Sequence, residues 1–318
     1  MKIEASALDI AFWLPVRSNG RDVNKGTFGH VVVVAGSNGF AGAPVMVAEA
    51  AARAGAGLVT LVVPEEIQPA VMARVSPVVV TRGLKQSDGL KFGRASIEAA
   101  LDLAEKATVC AIGPGIGQSE EVTSFVRDFV ARCSVSIVID ADALNVLAQE
   151  PDRGVSLIER RKAATILTPH PGEMGRLLGI ETEAVQVDRE GAVLLTARTF
   201  GCFVLLKGAQ TLIASADGAL YSNNTGNPGM ATAGTGDVLT GVVAALLAQR
   251  LEPLRAAIAA PYLHGLAGDL VAVSLGGEIG MIATDLIAYL PRAIAHCHAE
   301  VKSSTTSQKE VPLKRSMA

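Results

Sequence analysis

Short apolar runs, each closed by glycine or a polar turn and each followed by an Ala/Leu-rich stretch, recur along most of the chain. His30–Ala35 is the clearest: a β-branched run with no alternation, the pattern of a strand buried on both faces. Gly57–Val63, Val78–Val80, Thr108–Ile112, Ser136–Ile139, Thr165–Thr168, Cys202–Leu206 and Leu212–Ala214 read as further strands. Helices are predicted at Ala43–Ala54, near Pro69, and at Ala95–Ala104, Met174–Leu178, Ala184–Thr199, Val238–Leu247, Pro253–Ser274 and Ala283–Ala295. Strand, glycine loop and helix in repetition predict a doubly wound α/β sheet, in which loops at the carboxyl ends of strands line the ligand crevice. Asp217-Gly218 marks a hairpin. Residues Met1–Lys25 mix charge with Trp13 and Pro15 and are expected to wrap the surface ahead of the domain proper. One domain is expected over residues 1–301, with a disordered polar tail over 302–318.

The chemistry is expected where the polar, glycine-rich loop Asn223–Asp237 runs into the apolar stretch Val238–Leu247. Glycines at 234 and 236 let a backbone approach a ligand closely. Amides of Gly234, Thr235 and Gly236 at a helix N-terminus suit a phosphate or a developing oxyanion. Asp237 beside them is either the carboxylate that takes a proton from a substrate hydroxyl or a plain first-turn acid. The length of the small, polar loop before it favours the first reading.

Other strand exits carry weaker signals. Gly113-Pro114-Gly115-Ile116-Gly117 is not the dinucleotide fingerprint, because Gln118 stands where a third glycine is needed. In Asp140-Ala141-Asp142, Asp142 reads as a helix N-cap and Asp140, at the strand tip, as a carboxylate facing a metal or phosphate. His170, fixed between Pro169 and Pro171, is presented from a rigid loop and is expected to touch substrate. His30, His264, His296 and His298 have no such context. Lys207-Gly208 after a buried strand either places an ammonium at a nucleotide or makes an ordinary hairpin turn.

Composition narrows the classes. A net charge of −3 gives no electrostatic reason to expect nucleic acid or an anionic membrane as partner. With 49% hydrophobic and 4% aromatic residues, the core is Ala, Val and Leu. The four cysteines show no Cys-x-x-Cys spacing, so neither a zinc site nor a disulfide framework is indicated. Glu4 and Asp9 interrupt the apolar run a signal peptide needs, and a cytoplasmic setting is expected.

From Lys25-Gly26 through Pro291 the chain resembles the NAD(P)H-hydrate dehydratase family of the ribokinase-like superfamily. The likeness rests on Lys25-Gly26-x-x-Gly29-His30-Val31, Gly36-Ser37, Gly113–Gly117, Asp140–Asn145, Thr168–Glu173, Lys207-Gly208 with Thr211, and Asn227–Asp237, in that order. It implies a ribokinase-like three-layer α/β/α fold around a central, mostly parallel sheet. It also implies repair: hydrated NADH and NADPH (NADHX, NADPHX) are phosphorylated on their hydroxyl, and phosphate is then eliminated to restore the nicotinamide ring.

Carried over by motif, Ala43, Gly117, His170 and Asp237 would contact the hydrate, and Lys207, Gly208, Ala209, Gln210, Thr211 and Gly236 would hold the adenine nucleotide. The resemblance further implies Mg²⁺ as cofactor, ADP rather than ATP as cosubstrate, and a homotetramer. Action on the S epimer alone is expected, with a separate epimerase, since few residues precede Lys25. The rivals are a small-alcohol kinase of the same superfamily and a non-catalytic nucleotide sensor. Asp237 argues against the sensor, because binding alone needs no carboxylate beside a phosphate.

Overall fold

The computed structural model of the chain describes residues 2–16, 22–85 and 91–307. The strands are β1 Lys2–Glu4, β2 His30–Val34, β3 Leu58–Pro64, β4 Val80–Leu84 and β5 Val109–Ile112. They continue with β6 Ser136–Ile139, β7 Thr165–Leu167, β8 Phe203–Leu206, β9 Thr211–Ala214 and β10 Leu220–Asn223. The helices are α1 Ala7–Trp13, α2 Gly42–Arg53, α3 Gln68–Met72, α4 Ile97–Ala104, α5 Glu120–Arg132, α6 Asp142–Gln149 and α7 Pro151–Glu159. After these come α8 Pro171–Leu178, α9 Thr182–Val187, α10 Arg189–Phe200, α11 Thr235–Ala248, α12 Pro253–Leu275 and α13 Ala283–Ser307.

All strands join one sheet in the order β1-β10-β9-β8-β7-β6-β5-β2-β3-β4. It is parallel except where β9 pairs antiparallel with β8 and β10. Because β2 proceeds to β3 and β4 on one side while β5 to β8 build outward on the other, the winding reverses between β2 and β5. Loops leaving those two strands therefore flank the crevice that such a switch point opens.

Alternate residues of the buried strands feed two separate cores. Val31 and Val33 face the layer built on α1, α2 and α11–α13. Val32 and Val34 face the layer of α4–α8 and α10. From Val238 to Ala248 helix α11 is buried throughout and, Thr240 apart, apolar all round, as befits a helix enclosed on every side. It packs so closely on α2 that a Cβ at Gly241 would lie 2.3 Å from the Val47 carbonyl oxygen. Helix α12 is long and apolar enough to cross a bilayer by length and composition, but most of it is buried within the fold.

Several expectations are corrected. The N-terminal segment is not a surface wrap: β1 extends the sheet beside β10, and Ile10, Ala11 and Leu14 enter the core. Trp13 lies under the Arg255 guanidinium, 5.6 Å from its ring centre. Edge pairing, invisible in a three-residue polar strand, recruits it. The strand expected at Val78–Val80 begins only at Val80, in register with Thr60 of β3. The helix expected at Ala184–Thr199 is two, broken at Asp188, whose carboxylate caps α10 by accepting from the Gly191 amide at 2.8 Å. At the other terminus α13 continues to Ser307, and residues 308–318 of the expected tail lie outside the described residues.

Candidate active site

The loop from Asn223 ends at Gly234, whose left-handed backbone (φ 91°) starts α11. The first bond of that helix runs from the Val238 amide to the Gly234 carbonyl at 3.1 Å. The amides of Thr235, Gly236 and Asp237 thus precede the helical ladder and have no acceptor within it. The bare Cα of Gly236 looks toward Lys207: a Cβ there would sit 3.4 Å from its Nζ.

Behind this turn lies a buried charge network. Lys207 Nζ donates to Asp140 Oδ1 at 2.7 Å and stands 3.7 Å from Glu173 Oε2. The other oxygen of Asp140 accepts from Thr240 Oγ1 at 2.6 Å. Asp140 is 1% exposed, so the expectation that it faces a metal or phosphate is corrected: both oxygens are engaged inside the protein. Burial works against the Lys207 charge, but Asp140 and Glu173 outweigh it and hold the ammonium above its ordinary range. Asp237 is also pushed up, to about 7, by burial first and by Asp140 next, with Lys207 opposing. A carboxylate poised there can both accept and return a proton near neutrality.

His170 is the N-cap of α8, not a loop residue. Its Nδ1 accepts from the amides of Gly172 at 3.0 Å and Glu173 at 3.2 Å, while Glu173 Oε2 accepts from the His170 amide at 2.8 Å. With Nδ1 accepting, the neutral ring carries its proton on Nε2. Burial, then Lys207 and Arg176, lower its pKa and keep it neutral.

Between this network and α12 lies a cavity of about 580 Å³, lined by Lys207–Thr211, Asn223–Pro228, Met230, Ala231, Thr235, Gly236, Leu239, Pro261, His264 and Gly265. All six residues assigned to the nucleotide by motif meet in it. Its far wall is pinned to α12. Asp269 accepts from the Gly226 amide at 2.9 Å and from Asn227 Nδ2 at 3.0 Å, and Thr225 Oγ1 donates to the Tyr262 carbonyl at 2.9 Å. A larger groove of about 690 Å³ between α1, α2 and α13 includes none of these residues.

The remaining substrate candidates sit at the switch point. A Cβ on Gly115 would meet those of Phe40 at 2.9 Å and Ala43 at 3.3 Å. The Gly117 amide is not free, because it donates to Asp142 Oδ2 at 2.9 Å, while Gln118 Nε2 donates to Oδ1 at 2.9 Å. Asp142 is therefore no N-cap but the brace of this loop. The cap position belongs to Ala141, whose φ of 52° and ψ of −124° suit few residues other than glycine. Such strain costs on the order of 1–3 kcal/mol. It turns Asp140 inward and Asp142 outward from the two positions that flank Ala141.

Sequence reasoning missed three contributors. Thr240 was detectable as the lone hydroxyl in the apolar stretch Val238–Leu247, three residues after Asp237. Glu173 lay inside a quoted motif without a role. His264, dismissed for want of context, lines the cavity; burial pushes its pKa down to about 4, and its Nε2 has no partner. Nothing in its helical surroundings announces that.

A switch-point crevice with an anion-ready helix start and a perturbed acid defines a ribokinase-like α/β domain. A ribokinase-like superfamily protein from Enterococcus faecalis superposes with a TM-score of 0.76 at 26% identity, covering 91% of this chain and 94% of that one. The family model described as NAD(P)H-hydrate dehydratase matches residues 31–292, and the chain belongs to that family.

It is 41% identical over 280 residues to the bifunctional NAD(P)H-hydrate repair enzyme of Moorella thermoacetica, covering 88% of this chain but 52% of that protein. The chain thus spans about half the length of such bifunctional relatives. It is also 36% identical over 274 residues to the ADP-dependent (S)-NAD(P)H-hydrate dehydratase of Neisseria meningitidis, covering 85% of this chain and 86% of that one. The crystal structure of the ADP/ATP-dependent NAD(P)H-hydrate dehydratase of Bacillus subtilis, co-crystallised with ATP and Mg²⁺, has a TM-score of 0.75 at 29% identity, covering 92% and 97%.

Proposed function

We propose that the chain is an ADP-dependent (S)-NAD(P)H-hydrate dehydratase, returning the hydrated cofactor to NADH or NADPH and releasing AMP and phosphate. One observation carries it: Asp237, its pKa raised to about 7, directly follows Thr235 and Gly236 at the α11 start, and those two residues line the cavity that gathers the nucleotide motif. In this reading Asp237 takes the proton of the substrate hydroxyl as that oxygen attacks the terminal phosphorus of ADP. The amides of Thr235 and Gly236 hold the phosphoryl oxygens, and AMP departs. The phosphorylated ring then loses phosphate, the C–O bond breaking as a proton leaves the neighbouring carbon and the ring double bond returns. Lys207, locked to Asp140, supplies fixed positive charge beside the turn without needing to move.

Among the described residues no three His, Cys, Asp or Glu side chains gather as a metal cage, and Asp140 is fully engaged. No side chain among the described residues thus offers itself as a ligand to Mg²⁺. Any Mg²⁺ would be held chiefly by the phosphates of the nucleotide, whose charge it would neutralise. A cytosolic homotetramer belongs to the same proposal, and light scattering of the purified chain checks the assembly.

The test is incubation with NADPH hydrate and ADP or ATP, following absorbance of the reduced nicotinamide and phosphate together. Equimolar appearance of both supports dehydration; a stable phosphorylated alcohol would mean a kinase instead. Asp237→Asn should lower turnover at least a hundredfold, in the range of a lost general base, while nucleotide affinity stays within a few-fold. Unchanged turnover removes Asp237 from the mechanism.

A further inference from the structure

Phe92, Phe125, Phe129 and Phe200 are wholly enclosed, but Phe40 leaves 61% of its surface in solvent at the switch point. It is not a loose loop residue. The Gly36 amide donates to the Pro114 carbonyl and the Phe40 amide to the Ser37 carbonyl, each at 2.9 Å, and Ser37 Oγ donates to the Gly115 carbonyl at 2.7 Å. The Phe40 Cβ rests on the bare Cα of Gly115. The ring is thus held at its base and open at its face.

Its surroundings are equally specific. At Gly39, Gly42 and Gly117 a Cβ would meet nothing within 4 Å, and Ala43 contributes only a methyl group. One exposed aromatic ring thus sits beside backbone that carries almost no side chains. That backbone adjoins the reaction centre: one turn along α2 from Ala43, the Met46 sulfur lies 2.4 Å from where a Gly234 Cβ would be. Three residues of helix rise about 4.5 Å. A molecule whose hydroxyl is at Asp237 therefore brings its attached ring system toward Phe40.

We propose that Phe40 is a substrate-stacking residue, its face receiving the nicotinamide end of the hydrated dinucleotide. The inference rests on the dehydratase reading and adds a specificity contact to it. A planar conjugated carboxamide finds a rigid apolar face and no competing side chain, whereas the adenine nucleotide occupies the separate cavity by Lys207.

Steady-state kinetics of Phe40→Ala, Phe40→Leu and Phe40→Tyr test it, because leucine replaces apolar area without a π face. The expected result is a KM for NADPH hydrate raised about tenfold in Ala and nearly as much in Leu, restored in Tyr, with kcat and the KM for nucleotide within about twofold. Phe40→Trp gives a second readout. Its added fluorescence, above that of the parent's Trp13, should be quenched by NADPH hydrate without nucleotide, when no turnover can occur, and not by AMP. An unchanged KM in Ala, rescue by Leu equal to Tyr, no quenching by the hydrate, or quenching by AMP would each overturn the assignment. A parent protein that fails to convert the hydrate with either nucleotide would instead defeat the functional reading, so the two failures are distinguishable.

Discussion

The two walls of the crevice work on opposite physical plans. On the side of β6–β8 and α11, four ionisable groups (Asp140, Glu173, Lys207 and Asp237) are packed behind one helix start, and two carboxyls among them, Glu173 and Asp237, sit above their ordinary range chiefly because water is excluded. On the side of β2 and β5 the wall is backbone and glycine, with Phe40 exposed beside it and Asp142 bracing it from outside. Charge held out of water is costly and strongly coupled, so changes to the first wall should move stability and turnover together. The second is neutral and open, so changes there should move affinity alone.

The largest expected effect is at the centre of the charged wall. Lys207→Met leaves Asp140 buried with no cation, a loss expected to destabilise the fold by about 3–5 kcal/mol in denaturant titration. Adding Asp140→Asn removes the stranded charge and should recover most of it. If the double variant is as unstable as the single one, the pair is not what holds this wall.

Asp237 offers a finer test with a definite sign. Its folded pKa of about 7 exceeds the roughly 3.9 of an unfolded aspartate, so the native state holds the proton more tightly. The stabilisation this confers is full below about pH 4 and is lost as pH rises through about 7. Asp237→Asn cannot ionise, so it should melt above the parent at pH 8, by an amount on the order of 1–3 kcal/mol, and converge with it near pH 4. Thermal melts at several pH values check this. A gap independent of pH would mean that the carboxyl is not perturbed.

How much of this was legible in the sequence follows the same division. The sheet, its parallel strands and the helix after Asp237 were readable because burial on both faces writes continuous apolar runs. The clustering of Lys207–Thr211 with Gly236 came from recognised motifs; no local pattern brings a hairpin turn beside a helix start nearly thirty positions on. The engagement of Asp140 was unreadable, since a carboxylate at a strand tip looks the same whether it faces ligand or lysine. Asp142 was misread for a related reason: the strained backbone of Ala141 moves the cap position back by one, and alanine gives no warning of a positive φ. The N-terminal strand failed because its partner, β10, lies more than two hundred residues away.

The smallest effect asks whether the neutral wall is truly neutral. Asp142 accepts two donors, the Gly117 amide and the Gln118 side-chain amide, so asparagine keeps one acceptor and Gln118 can turn its own oxygen toward the new donor. Asp142→Asn should therefore raise the KM for the hydrate only about threefold, whereas Asp142→Ala, which leaves the Gly117 loop unbraced, should raise it about tenfold, consistent with one charge-assisted bond. In both variants kcat and the KM for nucleotide should hold, because neither Asp237 nor Lys207 depends on that loop. A fall in kcat with KM unchanged would show that the brace reaches the reacting atoms, and the division between a wall that performs chemistry and a wall that selects substrate would have to be abandoned.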